Sequence, residues 1–299
     1  NVTEATIPFR KRMEFQYGEV QQVSPLVRRL VARNPSSFTF HGTNTYIIGH
    51  GRVAVIDPGP LLEEQTSALV KALEGETVEN ILVTHTHHDH SPGVTPLKEK
   101  IGGEVHGAIP REIPPGVKTA ESIQYDFAPD HVLEDGTIVN GDDWSLEAVH
   151  TPGHMSNHMC FALAEEDILF TGDHIMSWNT TVVSPPDGNM AEYFSSLEVC
   201  LARNEKTYWP AHGPSIPDPE PFTRAYRNHR RMREGEIRKC LDNGHHTIPE
   251  IVGRLYKHLP EKMHGAASRS VLAHLEHMVQ TGRATSEGTP METATYRTV

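Results

Sequence analysis

Thr84-His85-Thr86-His87-His88-Asp89-His90 follows directly on Asn80-Ile81-Leu82-Val83, a short apolar run that reads as a buried strand. At the mouth of an extended strand, residues two apart face the same way, so His85 and His87 can grip one ion together. As the chain turns, Asp89 and His90 are left pointing towards a second position nearby. Imidazole nitrogen and carboxylate oxygen both suit zinc. A solvated polar loop is the plain alternative, and it leaves four ligand-type side chains among six residues unexplained. His88 is not needed for this geometry and is expected to face solvent or to stand behind the ligands. Histidine is also the compositional outlier, with 20 residues, and a second cluster lies at 154–158.

Outward from this stretch, residues 43–48 and 52–56 are β-branched runs split by Gly49-His50-Gly51, which predicts a hairpin. Asp57-Pro58-Gly59-Pro60 then breaks the chain. Residues 19–33 read as a first strand region. Helical spacing marks 62–74 and 93–101, with a strand near 104–106, and 122–172 reads mainly as strands and turns. A helix near 190–203 precedes the strand Thr207-Tyr208-Trp209, which ends in Pro210-Ala211-His212-Gly213. Strands alternating with helices, together with hairpins, imply mixed sheets covered by helices, an α/β (α+β) class.

The proline-rich stretch 214–221 reads as a linker, followed by a basic helix (about 221–241) and a small module (about 245–299). That module opens on Thr247-Ile248-Pro249-Glu250, a capping box with proline inside it. Ile251, Val252, Leu255, Tyr256 and Leu259 form one apolar helix face, and Val271, His274, Leu275 and Met278 form another. A polar, β-prone end with Gly288 at a turn completes the outline of a winged helix. The expected division is residues 1–220 for the catalytic domain and 221–299 for the basic helix and winged-helix-like module.

The order of these motifs resembles the metallo-β-lactamase superfamily, whose signature is His-x-His-x-Asp-His after a buried strand. Five matches stand in order: Asp57, the cluster at 85–90, Thr151-Pro152-Gly153-His154, Thr171-Gly172-Asp173, and Pro210-Ala211-His212-Gly213. The resemblance implies an αββα sandwich with the site at one edge. It implies that His85, His87 and His154 bind one metal, that Asp89, His90 and His212 bind another, and that Asp173 bridges the two. Two zinc ions per chain are the expected cofactor, ahead of iron or manganese. Two metals about 3.5–4 Å apart would share a water made acidic enough to ionise near neutral pH, with Asp89 and Asp173 as the catalytic carboxylates. Asp57 resembles the acid that backs the ligands in that family, a turn former being the plain alternative. His158 could either orient a ligand or be a buried strand histidine, and His174 should point away from Asp173. Asn44, Trp178, Asn179 and Thr180 are the expected pocket walls.

The ligand types also separate subfamilies by resemblance. True β-lactamases generally lack an aspartate at the Asp173 position, and the di-iron oxygen-reducing members carry Glu at the His87 position. The interval from Asp173 to His212 is too short for the inserted domain of the large nucleases. The best match is similar to the β-lactamase-like proteins that include a mitochondrial endoribonuclease. The expected activity is hydrolysis of a small ester, thioester or related bond, and the alternative is an endoribonuclease or phosphodiesterase acting on single-stranded RNA or nucleotides.

Charge bears on the partner. The chain carries a formal −12, which disfavours non-specific attraction to nucleic acid or anionic membrane. Residues 221–240 alone carry seven Lys and Arg against Glu234 and Glu236, and Arg224, Arg227, Arg231 and Arg238 fall on one helical stripe. That stripe is either a solvated face or a track for RNA phosphates. Three isolated cysteines give no disulfide framework and fit a reducing compartment. No run is apolar enough to span a membrane, and the start through Arg12 lacks a signal-peptide core. A cytoplasmic enzyme with a small-molecule substrate is expected, its terminal module serving as a lid or as a homodimer contact.

Overall fold

The computed structural model describes residues 6–117, 119 and 122–299; the part of the signal-peptide reading that concerns residues 1–5 lies outside them. Two sheets stack face to face. The first runs, in spatial order, β1 (Gln21–Ser24), β2 (Val27–Val31), β3 (Asn44–Ile48), β4 (Arg52–Ile56), β5 (Thr77–Leu82), β6 (Glu104–Gly107) and β7 (His131–Val132). The second comprises β8 (Ile138–Asn140), β9 (Ser145–His150), β10 (Met159–Leu163), β11 (Ile168–Gly172), β12 (Thr207–Pro210) and β13 (Ile216–Pro217), with β8 and β13 at its edges. Pairing is antiparallel from β1 to β4 and parallel from β4 to β7, and in the second sheet only β11 and β12 run parallel.

Alternation along the strands assigns each residue to a layer. On β3, Tyr46 and Ile48 enter the inter-sheet core with Phe161 and Phe170, whereas Ile47 faces outward with Val53, Val55 and Ile81. That outer face is covered by α1 (Glu63–Ala72) and α2 (Val94–Ile101) through Leu69, Leu73 and Leu97. The far face of the second sheet, with Cys160, Ala162, Leu169 and Tyr208, is covered by α3 (Met190–Leu201) and α4 (Pro219–Asp242). Side chains such as Ile47, Ile81 and Phe161 are fully buried, each contributing on the order of 1.5–3 kcal/mol of transfer free energy. Two helical layers around two sheets is the expected αββα order.

Three details differ from the sequence reading. The region 19–33 is two strands joined by a turn at Pro25-Leu26. The proline-rich stretch holds β13, and α4 begins at Pro219, since proline needs no amide donor in a first turn. The division expected between residues 220 and 221 therefore falls inside the first turn of α4.

That helix serves two cores. Phe222 and Tyr226 pack into the catalytic unit, while Ile237, Cys240 and Leu241 join α5 (Ile248–Leu255), α6 (His264–Gln280) and the ribbon β14 (Ala284–Ser286) and β15 (Tyr296–Thr298). Glu234, 4% exposed, ties α4 to the module by accepting from His277 Nδ1 at 2.6 Å and His274 Nδ1 at 3.3 Å, with Arg283 Nη1 at 2.6 Å. Burial alone would raise its carboxyl, but the hydrogen bonds from His274 and His277 outweigh burial and hold it at about 2. Because the folded value lies below the ordinary 4.5, this stabilisation is present above pH 4.5 and is lost as pH falls towards 2. Denaturant titrations should find Glu234→Gln less stable by about 2–3 kcal/mol at pH 7, with the gap closing between about pH 4.5 and 2. An equal gap at pH 7 and pH 3 would show that the charge contributes nothing.

Candidate metal centre

The expected ligands emerge at the ends of strands along one edge of the sandwich. His85, His87, Asp89 and His90 follow β5, His154 lies between β9 and β10, Asp173 follows β11, and His212 follows β12. Glycine makes some of these exits. Gly153, before His154, has φ 140°, and a Cβ there would lie 2.4 Å from Tyr193 Cα. Gly42 also has φ 140°, and a Cβ there would lie 1.8 Å from the Ala32 carbonyl oxygen.

The structure brings all seven together in two groups. His85, His87 and His154 form one, and Asp89, His90, Asp173 and His212 the other, with the donor atoms of each group within 4.8 Å of one another. His87 Nδ1 lies 3.0 Å from His85 Nε2 and 3.1 Å from His154 Nε2. Asp89 Oδ2 lies 3.2 Å from His90 Nε2 and 3.1 Å from His212 Nε2. Asp173 touches both sets: its Oδ2 is 3.4 Å from His90 Nε2, 3.6 Å from His154 Nε2 and 3.9 Å from His85 Nε2, and its Oδ1 is 3.3 Å from His212 Nε2. His88 is exposed.

The outward nitrogens are held from behind. His90 Nδ1 donates to Asp57 Oδ2 at 2.9 Å, His154 Nδ1 to the Val182 carbonyl at 2.6 Å, and His212 Nδ1 to the Gly42 carbonyl at 3.1 Å. Such bonds fix the tautomer and aim each Nε2 lone pair inward. Asp57, 1% exposed and at φ 50°, also accepts from Thr84 N and Thr84 Oγ1 at 2.8 and 2.7 Å. Thr84 Oγ1 is in turn 3.0 Å from His85 Nδ1. One carboxylate thus positions a histidine of each group.

Those inward atoms fit metal ions. His90 Nε2, His212 Nε2 and Asp173 Oδ1 are buried with no hydrogen-bond partner. Leaving three such atoms unpaired costs on the order of 1–3 kcal/mol each, a penalty that a coordinated cation removes. Burial, reinforced by neighbouring imidazoles, holds His85 and His87 well below the usual histidine range, hence neutral and fit to ligate.

The neighbours sort differently. His158 is fully buried and stands behind Asp173, but as an acceptor: its Nε2 receives the Asp173 amide at 3.1 Å, while Nδ1 pairs with Thr151 Oγ1 at 2.8 Å. His174 points away, against Tyr193 at 5.0 Å between ring centroids. Asn44 is not a pocket wall. It is fully buried, and its amide donates to the Pro210 and Gly213 carbonyls, bracing the turn that carries His212.

Both metal groups open into a cavity of about 590 Å³. Trp178, Asn179 and Thr180 line it, as expected from the sequence, beside Phe38 and Met176. Tyr256, Leu259, Met263 and Ser270 of the C-terminal module close one side. None of Arg224, Arg227, Arg231 or Arg238 lines this cavity. Arg224 pairs with Glu220 at 2.7 Å, and Arg227 and Arg231 reach Glu198 at 2.8 and 3.6 Å. The arginines that do line it are Arg230 and Arg233, which lie off that stripe. A signal for Arg230 existed: with Phe222 and Tyr226 before it at four-residue steps, it occupies the apolar face of the helix.

Donors at one edge of an αββα sandwich, beneath a walled cavity, define a metal-dependent hydrolase. Comparison with known proteins gives the family. The chain belongs to the metallo-beta-lactamase superfamily, whose model matches residues 38–212, and residues 247–293 match the beta-lactamase associated winged helix domain. It is 31% identical over 268 residues to a beta-lactamase-like protein 2 homolog of Caenorhabditis elegans, covering 88% of this chain and 87% of that protein. It is 32% identical over 257 residues to an atrochrysone carboxyl ACP thioesterase of Aspergillus chevalieri, covering 81% and 77%. A beta-lactamase domain protein from Burkholderia ambifaria has the same fold, with a TM-score of 0.79 at 19% identity over 100% of this chain and 99% of that one. Among the described residues no helix is long and apolar enough to cross a membrane, and the three cysteines are free and buried.

Proposed function

We propose that the chain is a binuclear zinc hydrolase acting on a thioester or ester of a small, largely apolar acyl compound. The observation that carries this reading is the joining of two donor groups to an apolar cavity walled by the winged-helix module. His85, His87 and His154 would hold one ion and Asp89, His90 and His212 the other, with Asp173 between them. When bound, the pair supplies Lewis acidity and water that ionises near neutral pH.

The chain's own residues supply the rest. Asp173, held through its amide by His158 and through its carbonyl by Thr181 Oγ1 at 2.5 Å, presents a carboxylate in a fixed place where it can take a proton. Phe38, Met176, Trp178 and Leu259 bury an apolar acyl group and exclude water from it. Thioester cleavage agrees with the activity for which the Aspergillus chevalieri relative is named. An RNA strand finds no such support, since the arginine stripe meant to guide it stands outside the cavity and three of its members face glutamates.

Metal-replete protein should carry close to two zinc ions by elemental analysis. It should hydrolyse aromatic or long-chain acyl thioesters with kcat/KM at least about 100-fold above that for single-stranded RNA, a gap of about 2.7 kcal/mol in transition-state binding. Salt-sensitive RNA cleavage without thioester turnover would replace this reading with the nuclease one.

A further inference from the structure

Arg230 is 4% exposed and lines the cavity. Its Nη2 donates to the Thr181 carbonyl, its Nε has no partner, and the guanidinium lies 5.3 Å from the Tyr193 ring centroid. Among the described residues no carboxylate comes within ion-pair distance of it. Its neighbours on the helix differ: Arg224, Arg227 and Arg233 each have a glutamate, at 2.7, 2.8 and 3.0 Å. A cation removed from water without a counter-charge costs several kcal/mol, and one carbonyl with one aromatic ring offsets only part of that. The missing counter-charge has one open side from which to arrive, the cavity.

We infer that Arg230 anchors an anion subsite, so that the compound hydrolysed carries an oxyanion group, carboxylate or phosphate, beside its apolar body. This deepens the hydrolase reading and rests on it for the identity of the bound compound as substrate.

The placement is specific. Thr181 holds Arg230 through its carbonyl and Asp173 through its hydroxyl, and the next residue, Val182, accepts from His154. The arginine and two members of the metal cage therefore hang on the same two-residue strut, and all three line the one cavity. Two further residues line the cavity on the same helix. Arg233 lies over the Tyr256 ring at 4.6 Å, and His229 has an unpaired Nδ1. Burial and the two flanking guanidiniums hold His229 neutral, at about 4, so it adds a hydrogen-bonding group and no charge. A planar guanidinium suits carboxylate or phosphate through paired hydrogen bonds, which distinguishes such ligands from neutral ones of the same shape.

Calorimetric titration of the zinc-loaded full chain with matched probes tests this. The carboxylate arm compares 2-naphthylacetate with 2-naphthylacetamide, and the phosphate arm compares 2-naphthyl phosphate with 2-naphthol. In at least one arm the anion should bind about 10- to 100-fold tighter than its neutral partner, and the arm that responds identifies the group. Arg230→Gln should bring that ratio to within about threefold of unity. Arg230→Met, whose side chain suits a buried position, is read the same way if the glutamine variant does not fold. Equal affinities in both arms for the wild type overturn the subsite. So does a ratio that survives loss of the arginine, which would place the anion on the metals alone. Failure of the hydrolase reading would appear separately, as an absence of turnover on every thioester and ester.

Discussion

Asp173→Ala should retain at most about half of the bound zinc and lose at least about 10³-fold in kcat/KM, roughly 4 kcal/mol of transition-state stabilisation. The Asp173 carboxylate lies within 3.9 Å of His85, His90, His154 and His212, and among the described residues it alone reaches both donor groups in this way. Without it the centre would keep Asp89 as the one acidic donor of the two groups, too little negative charge to hold two dications side by side. The backbone at 173 is fixed independently by His158 and Thr181, so the variant should keep its fold and lose only the carboxylate. Elemental analysis and thioester turnover, with circular dichroism as the folding check, decide the matter. Two zinc ions and turnover within tenfold of wild type would remove Asp173 from the centre.

Asp57→Ala should weaken zinc binding by about 10- to 100-fold although Asp57 is not itself one of the seven donors. Its carboxylate takes the Nδ1 proton of His90 and both the amide and hydroxyl of Thr84, whose oxygen sits against His85 Nδ1. Alanine would leave a buried amide and a buried imidazole N–H unpaired, at about 1–3 kcal/mol each, and would free His90 to rotate. Competition with a fluorescent chelator measures the affinity. Asp57→Asn, which keeps one acceptor oxygen, should recover part of the loss. Unchanged affinity in the alanine variant would make Asp57 a turn former and nothing more.

Much of the centre was legible because its signals are local. The period of two at a strand mouth orients His85 and His87, and breakers such as Asp57-Pro58-Gly59 mark where a sheet edge must lie. Alternation showed mixed sheets covered by helices and capping outlined the winged helix, whereas the αββα order came from the family resemblance of the motifs. What escaped detection depends on distant segments meeting. Asn44 reads as a polar residue on a hairpin and therefore as a pocket wall, but the carbonyls of Pro210 and Gly213, far along the chain, bury it. The prolines at 214–221 read as a linker because their number hides the one that opens a helix, Pro219 at the start of α4. The arginines drew attention by number, which favoured the stripe of Arg224, Arg227, Arg231 and Arg238. Arg230 mattered for the opposite reason, as a lone cation on the apolar side of α4 beside Tyr226.

The donor cage and one wall of the cavity occupy different stretches of this chain. Every donor of the cage precedes residue 213, whereas the wall opposite is built from α4 and the segments after it. On the proposed hydrolase reading, exchanging Leu259 for something smaller, or Met263 for something polar, would change the shape of the cavity and move no metal donor. Descendants of such a molecule can diverge in diet while inheriting the same reactive machinery, because drift in the roof leaves the hearth untouched. The limit is the length of α4 shared by both cores: a roof may be remodelled residue by residue, but it cannot be lifted off without taking part of the house.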